Sequence, residues 1–378
     1  MAYDFDAAVD RRDSGSLKWS RYASRPDVLP MWVADMDFAA PGPVLEAIRA
    51  RVAHGVFGYE QATHELADAV VAWCAARYEW EIDRSWLVWT PGVVPGLIAC
   101  AAVAGGAGDL VAVTTPIYPP FLEAPGVARR TLVKVPLAFD GEKYGFDFDG
   151  LAASGARMLL LCSPHNPTGR VWTRDELARL AELCCDRDMI VCADEIWSDL
   201  VIDPAARHIP LASLDSKIAA RTVTLMAPSK TFNIAGLYCS FAVVPDAKLR
   251  RAFAAEVNAR HTHVNAVGLA AALAAYRECE PWRRELVAYL ARNHEAILEA
   301  AGRMGGLSMA PAEATYLAWI DCRGANLGDP NERFLKAGVA LSDGPAFDAP
   351  GWVRLNFGCP RSMLDEALSR MGKVLENG

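Results

Sequence analysis

Short, uninterrupted apolar runs separated by helical segments constrain this chain more than any other feature. The runs are Trp86–Trp89, Leu110–Val113, Met158–Cys162, Met189–Ala193, Thr222–Met226 and Cys239–Val244. A strand with one wet face alternates apolar and polar residues, whereas a run that is apolar at successive positions suits a strand covered on both faces. Between the runs lie helical patterns such as Arg174–Arg187, with Leu177, Leu180, Ala181 and Cys184 on one face. Another helix is expected to start at Pro43, continue on Val44, Ala47, Ile48 and Val52, and stop at Gly55. Strand–helix alternation of this kind predicts an α/β fold built on a large, doubly wound, mostly parallel sheet.

The texture changes after Pro281. Trp282 to about Met304 reads as one long helix ended by Gly305-Gly306, and shorter elements follow. These are strand Ala314–Ile320, helix Asn331–Ala337, strand Trp352–Phe357 and helix Ser362–Leu375. With 378 residues the chain is long enough for two domains. The expected division is an N-terminal arm over 1–42, a large domain over 43–280 and a smaller α+β domain over 281–378, with the arm packed on the last.

Charge and composition remove several function classes. A net charge of −8 gives no long-range attraction to nucleic acid or anionic membrane, so any phosphate-bearing ligand must be held by a local site. The longest apolar stretch, near Val93–Ala107, is rich in Ala and Gly and reads as a buried helix, not a membrane span. The opening MAYDFDAAVDRRDSG is charged and lacks a signal-peptide run, so a cytoplasmic protein is expected. Ten cysteines occur without a C-x-x-C pair and read as reduced core residues. His261 and His263 are the nearest approach to a metal pair, and they read better as a surface or loop feature, so no metal is expected.

In an open α/β sheet, ligands bind beyond the carboxyl ends of the strands. Four unusual clusters sit at such ends. The first, Thr90-Pro91-Gly92-Val93-Val94-Pro95-Gly96, joins a strand to a helix and could hold an anion on free amides, although a plain turn reads equally well. Neither the dinucleotide nor the nucleoside-triphosphate fingerprint is present in it. The second, Ser163-Pro164-His165-Asn166-Pro167-Thr168-Gly169, is a rigid turn able to aim the Asn166 amide. In the third, Asp194 ends the strand MIVCA, where a buried acid is costly without a cationic partner. In the fourth, Lys230 lies between an apolar strand and the apolar Ile234–Leu237, where desolvation favours a neutral, nucleophilic amine. Each cluster alone has a structural reading of comparable weight.

Together they supply a phosphate cradle, a ring-facing amide, a buried acid and a buried amine, a set that fits pyridoxal 5′-phosphate (PLP). The whole chain resembles the fold-type I PLP enzymes of aminotransferase class I/II, and within them the cystathionine β-lyase-like branch of cysteine C–S lyases. The resemblance is carried by Leu29-Pro30-Met31-Trp32-Val33-Ala34-Asp35-Met36-Asp37-Phe38, Phe57-Gly58-Tyr59, Thr90–Gly96, His165-Asn166-Pro167-Thr168-Gly169-Arg170-Val171-Trp172, Ser229-Lys230-Thr231-Phe232-Asn233 and Val353-Arg354-Leu355-Asn356-Phe357.

The resemblance implies residue roles. Lys230 would carry the cofactor as a Schiff base and take the substrate's Cα proton, and Asp194 would keep the pyridine nitrogen protonated. Asn166 would bond the ring hydroxyl, Tyr118 would stack on the ring, and Val93, Val94 and Ser229 would hold the phosphate. Tyr59 would reach the phosphate site of a second copy, implying a homodimer with shared sites. Arg354 would clamp the substrate carboxylate, with Trp32 and Phe38 either lining the substrate pocket or anchoring the arm. Three positions depart from classical aspartate aminotransferases: Trp197 replaces a tyrosine, Ala227 a serine and Tyr238 a phosphate-binding arginine.

The favoured reaction is α,β-elimination of L-cystathionine or another S-substituted cysteine to a thiol, pyruvate and ammonia, as in methionine biosynthesis. An aminotransferase uses the same residues and stays open, as does a PLP-bound regulatory protein.

Overall fold

The computed structural model describes residues 3–376 apart from Ala104 and Thr262. Seven strands form one sheet: β1 (Leu87–Thr90), β2 (Leu110–Thr115), β3 (Thr131–Pro136), β4 (Met158–Cys162), β5 (Ile190–Asp194), β6 (Thr222–Met226) and β7 (Ser240–Val243). Their order is β1-β7-β6-β5-β4-β2-β3. Neighbours from β6 to β3 run parallel, and β7 is antiparallel to both β6 and β1. The start of β7 therefore shares an edge with the carboxyl ends of the other six. Register sets three of those ends level, because Cys162 pairs with Asp194 and Asp194 with Leu225.

The continuous apolar runs have the predicted cause. Met158, Leu160 and Cys162 face one packed layer together with Leu97, Val111 and Phe253. Leu159 and Leu161 face the other, against Leu177, Leu180 and Cys184 of the helix Arg174–Asp186. That helix opens on a capping box between Thr173 and Glu176, which satisfies amides its first turn would leave bare. The architecture is α/β with a mostly parallel sheet.

β3 was not anticipated. It is an edge strand with Val135 its one buried residue, Lys134 exposed in its middle and Pro136 at its end. Edge strands blunted by charge and proline lack the apolar run that marks their inner neighbours.

The C-terminal part carries a three-stranded antiparallel sheet of β8 (Leu317–Asp321), β9 (Ser342–Asp343) and β10 (Trp352–Asn356), in the order β8-β10-β9. The helices Glu280–Arg303 and Arg361–Glu376 accompany it. The strand expected from Ala314 starts at Leu317, since Thr315 has φ of 77° and Ala314 forms only an isolated bridge to Val201. The first helix of the large sheet region begins at Gly42 after a Pro41 cap and ends at Gly55, whose φ of 77° closes the turn. Near the N-terminus, Leu29–Pro30 pairs in parallel with Val339–Ala340, and Met31 O accepts from Asn356 N at 2.9 Å. Among the described residues no helix is long and apolar enough to cross a membrane, and no cluster of metal-ligating side chains occurs.

Candidate active site

A cavity of about 430 Å³ opens where the strand ends meet. Tyr118 follows β2, Asn166 follows β4, Asp194 ends β5, and Ser229 and Lys230 follow β6; all five border it. The four clusters read from the sequence thus converge, although they are spread from residue 90 to residue 233.

Lys230 Nζ donates to Ala34 O at 2.6 Å and lies 5.6 Å from the Trp197 ring centroid. Burial and the nearby Arg354 guanidinium lower its pKa to about 8, against the opposing charges of Asp35 and Asp194. At pH 7 roughly a tenth is then free amine, far more than an ordinary lysine offers. Asp194 is 5% exposed, and its carboxylate accepts one hydrogen bond, from Ile196 N at 3.1 Å. Burial pushes it up to about 7, with Glu195 adding to the rise while the Ile196 amide and Lys230 oppose it. The neighbouring Glu195 is fully buried but satisfied, by His208 Nε2 at 2.9 Å and Leu211 N at 3.0 Å.

Arg354 is 4% exposed in the middle of β10. Its Nη1 donates to Asn166 Oδ1 at 2.8 Å and its Nη2 to Trp32 O at 3.0 Å and Ser342 Oγ at 3.2 Å. All three acceptors are neutral, and Nε is buried without a partner. Burial lowers its pKa to about 10. The arginine also orders Asn166: with Oδ1 occupied, the amide nitrogen is the free end. Tyr118 N donates to Asn166 O at 3.1 Å, tying the β2 and β4 ends together.

Beside the cavity a helix begins at Val93, so the Val93 and Val94 amides belong to a first turn that offers them no intrahelical acceptor. Gly92 before it has φ of 142°, a conformation side chains rarely adopt, and an added Cβ would lie 3.3 Å from Pro95 Cδ. Ser229 and Tyr238 also border the cavity, and among the described residues no arginine does.

One wall comes from the distant segment Val33–Asp35. Asn233, held at φ of 55°, fixes it by accepting from Met36 N at 3.0 Å and donating to Met36 O at 2.8 Å and Phe38 O at 2.7 Å. Asn356 Nδ2 donates to Asp35 O at 2.6 Å. Tyr316 OH reaches Ala34 O at 2.9 Å. Asp37 accepts from Lys18 Nζ at 2.7 Å, Arg11 Nη1 at 2.7 Å and Trp19 Nε1 at 2.9 Å. These wall residues were missed as functional candidates, although Asp35 and Asn233 sat inside the quoted strings.

Three anticipated residues lie elsewhere. Phe38 is buried among Phe5 at 5.2 Å and Tyr289 at 5.6 Å, so it anchors the arm and does not line the cavity. The Trp32 ring lies under Arg21 at 4.6 Å with Nε1 on Lys18 O, and only its carbonyl reaches the site, through Arg354. Tyr59 is fully exposed in a separate groove with Phe57 and His263.

Known proteins of the same shape exist. The family model described as aminotransferase class I and II matches residues 27–371. Cystathionine beta-lyase PatB of Bacillus subtilis is 36% identical over 386 residues, covering 98% of this chain and 100% of PatB. The crystal structure of OvoB superposes with a TM-score of 0.96 at 41% identity, covering 100% of both chains. That of cystalysin from Treponema denticola, which contains a pyridoxal 5′-phosphate cofactor, superposes at 0.95 with 32% identity and the same full coverage. A cavity assembled from five strand ends, on a chain matched from end to end by such relatives, is reason enough to state that this protein belongs to the aminotransferase class I and II family.

Proposed function

We propose that the chain is a PLP-dependent carbon–sulfur β-lyase that converts L-cystathionine or another S-substituted cysteine to a thiol, pyruvate and ammonia. The observation that carries this reading is a pair of buried ionisable groups beside one reactive amine: among the described residues Asp194 has no bonded cation and Arg354 no bonded anion. Uncompensated buried charge is expensive and marks a place for a ligand's counter-charge. A protonated pyridine nitrogen suits Asp194, an amino acid's carboxylate suits Arg354, and an aldehyde suits Lys230. The residues present therefore fit PLP together with an amino acid.

When bound, PLP supplies an electron-withdrawing ring that stabilises negative charge at the substrate's Cα. The chain's own residues do the rest. Arg354 orients the carboxylate so that the Cα–H faces Lys230, whose free amine takes the proton. Asp194 would hold a cation at the ring nitrogen. The Asn166 amide nitrogen would donate to the ring hydroxyl, Tyr118 would pack against the ring, and the Val93 and Val94 amides with the Ser229 hydroxyl would hold the phosphate. The Cβ–S bond breaks with its electron pair leaving on sulfur, and one water enters overall to give thiol, pyruvate and ammonia.

Exposed Tyr59 completes the phosphate site of a second copy in a homodimer with shared sites. The working division remains an arm over 1–42, a large domain over 43–280 and a small domain over 281–378, in a cytoplasmic enzyme of methionine biosynthesis. The family match and the full-length likeness to a cystathionine beta-lyase support the choice of reaction.

The test is pyruvate release by the purified, PLP-loaded protein from L-cystathionine and from simple cysteine thioethers, with the thiol measured in parallel. Equal pyruvate and thiol are expected. No pyruvate from any thioether, with amino-group transfer to a 2-oxo acid instead, overturns the lyase in favour of a transaminase.

A further inference from the structure

The cavity wall carries one charged group that the cofactor reading leaves unused. Of the ionisable carboxylates and amines bordering the cavity, Asp194 and Lys230 are assigned, and Asp35 is the third. Asp35 follows directly after Ala34, whose carbonyl accepts from Lys230, and its charge is felt at the Lys230 amine. Around it the cavity is apolar, with Leu17, Val33 and Ile196.

Asp35 belongs to a quartet with Asp37, Arg11 and Lys18. The two acids differ in what they do there. Asp37 takes the closest bonds of both cations and of Trp19, and its side chain is 4% exposed. It already locks the wall. Asp35 takes the outer, bidentate contact with Arg11 at 3.0 and 2.8 Å, keeps its carboxylate 3.7 Å from Lys18 Nζ, which donates instead to Asp35 O at 3.1 Å, and borders the cavity with its side chain 24% exposed. A strut needs no opening to the cavity, and a carboxylate retains lone pairs for a further donor beyond Arg11.

We propose that Asp35 is a specificity residue that selects cysteine thioethers whose S-substituent ends in a positively charged amine. The inference depends on the lyase reading for which end of the substrate meets Lys230. With Cα at Lys230 and the carboxylate at Arg354, the substituent on sulfur points along the wall that Asp35 shares with Leu17 and Val33. The apolar side chains cover its methylenes and the carboxylate meets the ammonium. A neutral substituent of the same length leaves Asp35 without that partner and gains nothing from it.

The experiment compares two thioethers that differ only by a terminal ammonium or methyl group: S-(2-aminoethyl)-L-cysteine and S-propyl-L-cysteine. The ratio of their kcat/KM values is measured on the holo-protein, since a ratio cancels any loss of folded enzyme. The wild type should favour the amine by about tenfold, as a partly desolvated charge pair allows. Asp35→Asn should bring the ratio to near one, while Asp35→Glu, which keeps the charge, should retain most of it. A wild type without preference, or an unchanged ratio in Asp35→Asn, overturns the proposal, the second outcome marking Asp35 as a strut for Arg11 alone. If neither thioether yields pyruvate, the lyase reading falls instead. The ratio of the two dissociation constants, by calorimetry on the holo-protein and Asp35→Asn, then decides the Asp35 proposal by the same criteria.

Discussion

Asp194, the last residue of β5, and Asp199, in the segment that follows it, are 5% and 4% exposed, yet the structure treats them in opposite ways. Asp199 accepts from Tyr78 OH at 2.5 Å, Trp73 Nε1 at 3.1 Å and Thr231 Oγ1 at 3.4 Å, with Arg77 at 3.8 Å. Asp194 accepts from a single backbone amide. One acid is finished by its own chain; the other waits for something to arrive. Burial alone does not mark a functional carboxylate, whereas burial without satisfaction does.

The contrast can be broken, and the largest expected effect is at the amine facing the unfinished acid. Lys230→Ala should cut turnover by ~10³-fold or more, because the group that moves the Cα proton is gone. It should also remove the Schiff-base absorption band of the PLP-loaded protein, leaving that of the free aldehyde, and a Schiff-base band that survives without added amine would remove Lys230 from its assigned role.

The two acids should then respond with opposite signs. Asp199→Asn weakens three buried donors' acceptor and should cost ~2–4 kcal/mol of stability, read by chemical denaturation. Asp194→Asn should stabilise the cofactor-free protein by ~1–3 kcal/mol while weakening PLP binding. The gain is pH-dependent. The folded pKa of Asp194 is raised from 3.8 to about 7, so the wild type loses stability as pH rises from about 4 through 7, and the variant should not. Equal signs for the two substitutions would end the distinction.

A milder effect concerns cofactor capture. Since Lys230 has its pKa near 8, the rate at which cofactor-free protein takes up PLP should climb with pH up to about 8 and level above it, followed by absorbance. The smallest effect tests a satisfied group. His294 is buried, accepts from Ala312 N at 3.0 Å, and has its pKa lowered from 6.5 to about 4. Stability should fall as pH drops from 6.5 towards 4, and His294→Gln should flatten that slope at a cost of ~1 kcal/mol near neutrality.

What the sequence displayed of all this follows from locality. β4 and β6 were readable to the residue because strands packed on both faces leave continuous apolar runs. β3 left none, being an edge. Lys230, Asp194 and Asn166 were visible because each directly follows or ends such a run. The bond between Asn233 and Met36 joins residues 197 apart, and no local pattern reports it. Whether Phe38 lines the pocket or anchors the arm stayed open for the same reason: its company, Phe5 and Tyr289, comes from opposite directions along the chain. The departure at Tyr238 could be seen as a letter, but only the structure shows that, among the described residues, no arginine side chain borders the cavity in its place.

The stapling of residues 33–38 by Asn233 and Asn356 has a consequence for the order of events during synthesis. Lys230 sits beside a wall whose fasteners lie near the beginning, the middle and almost the end of the polypeptide. A nascent chain released only as far as β7 would own the lysine, the acid and the phosphate-binding turn, yet lack β10 with Arg354 and Asn356. Productive cofactor uptake should therefore be a property of the finished polypeptide, so that the yellow colour of the protein becomes a reporter of completed translation and not merely of a folded sheet.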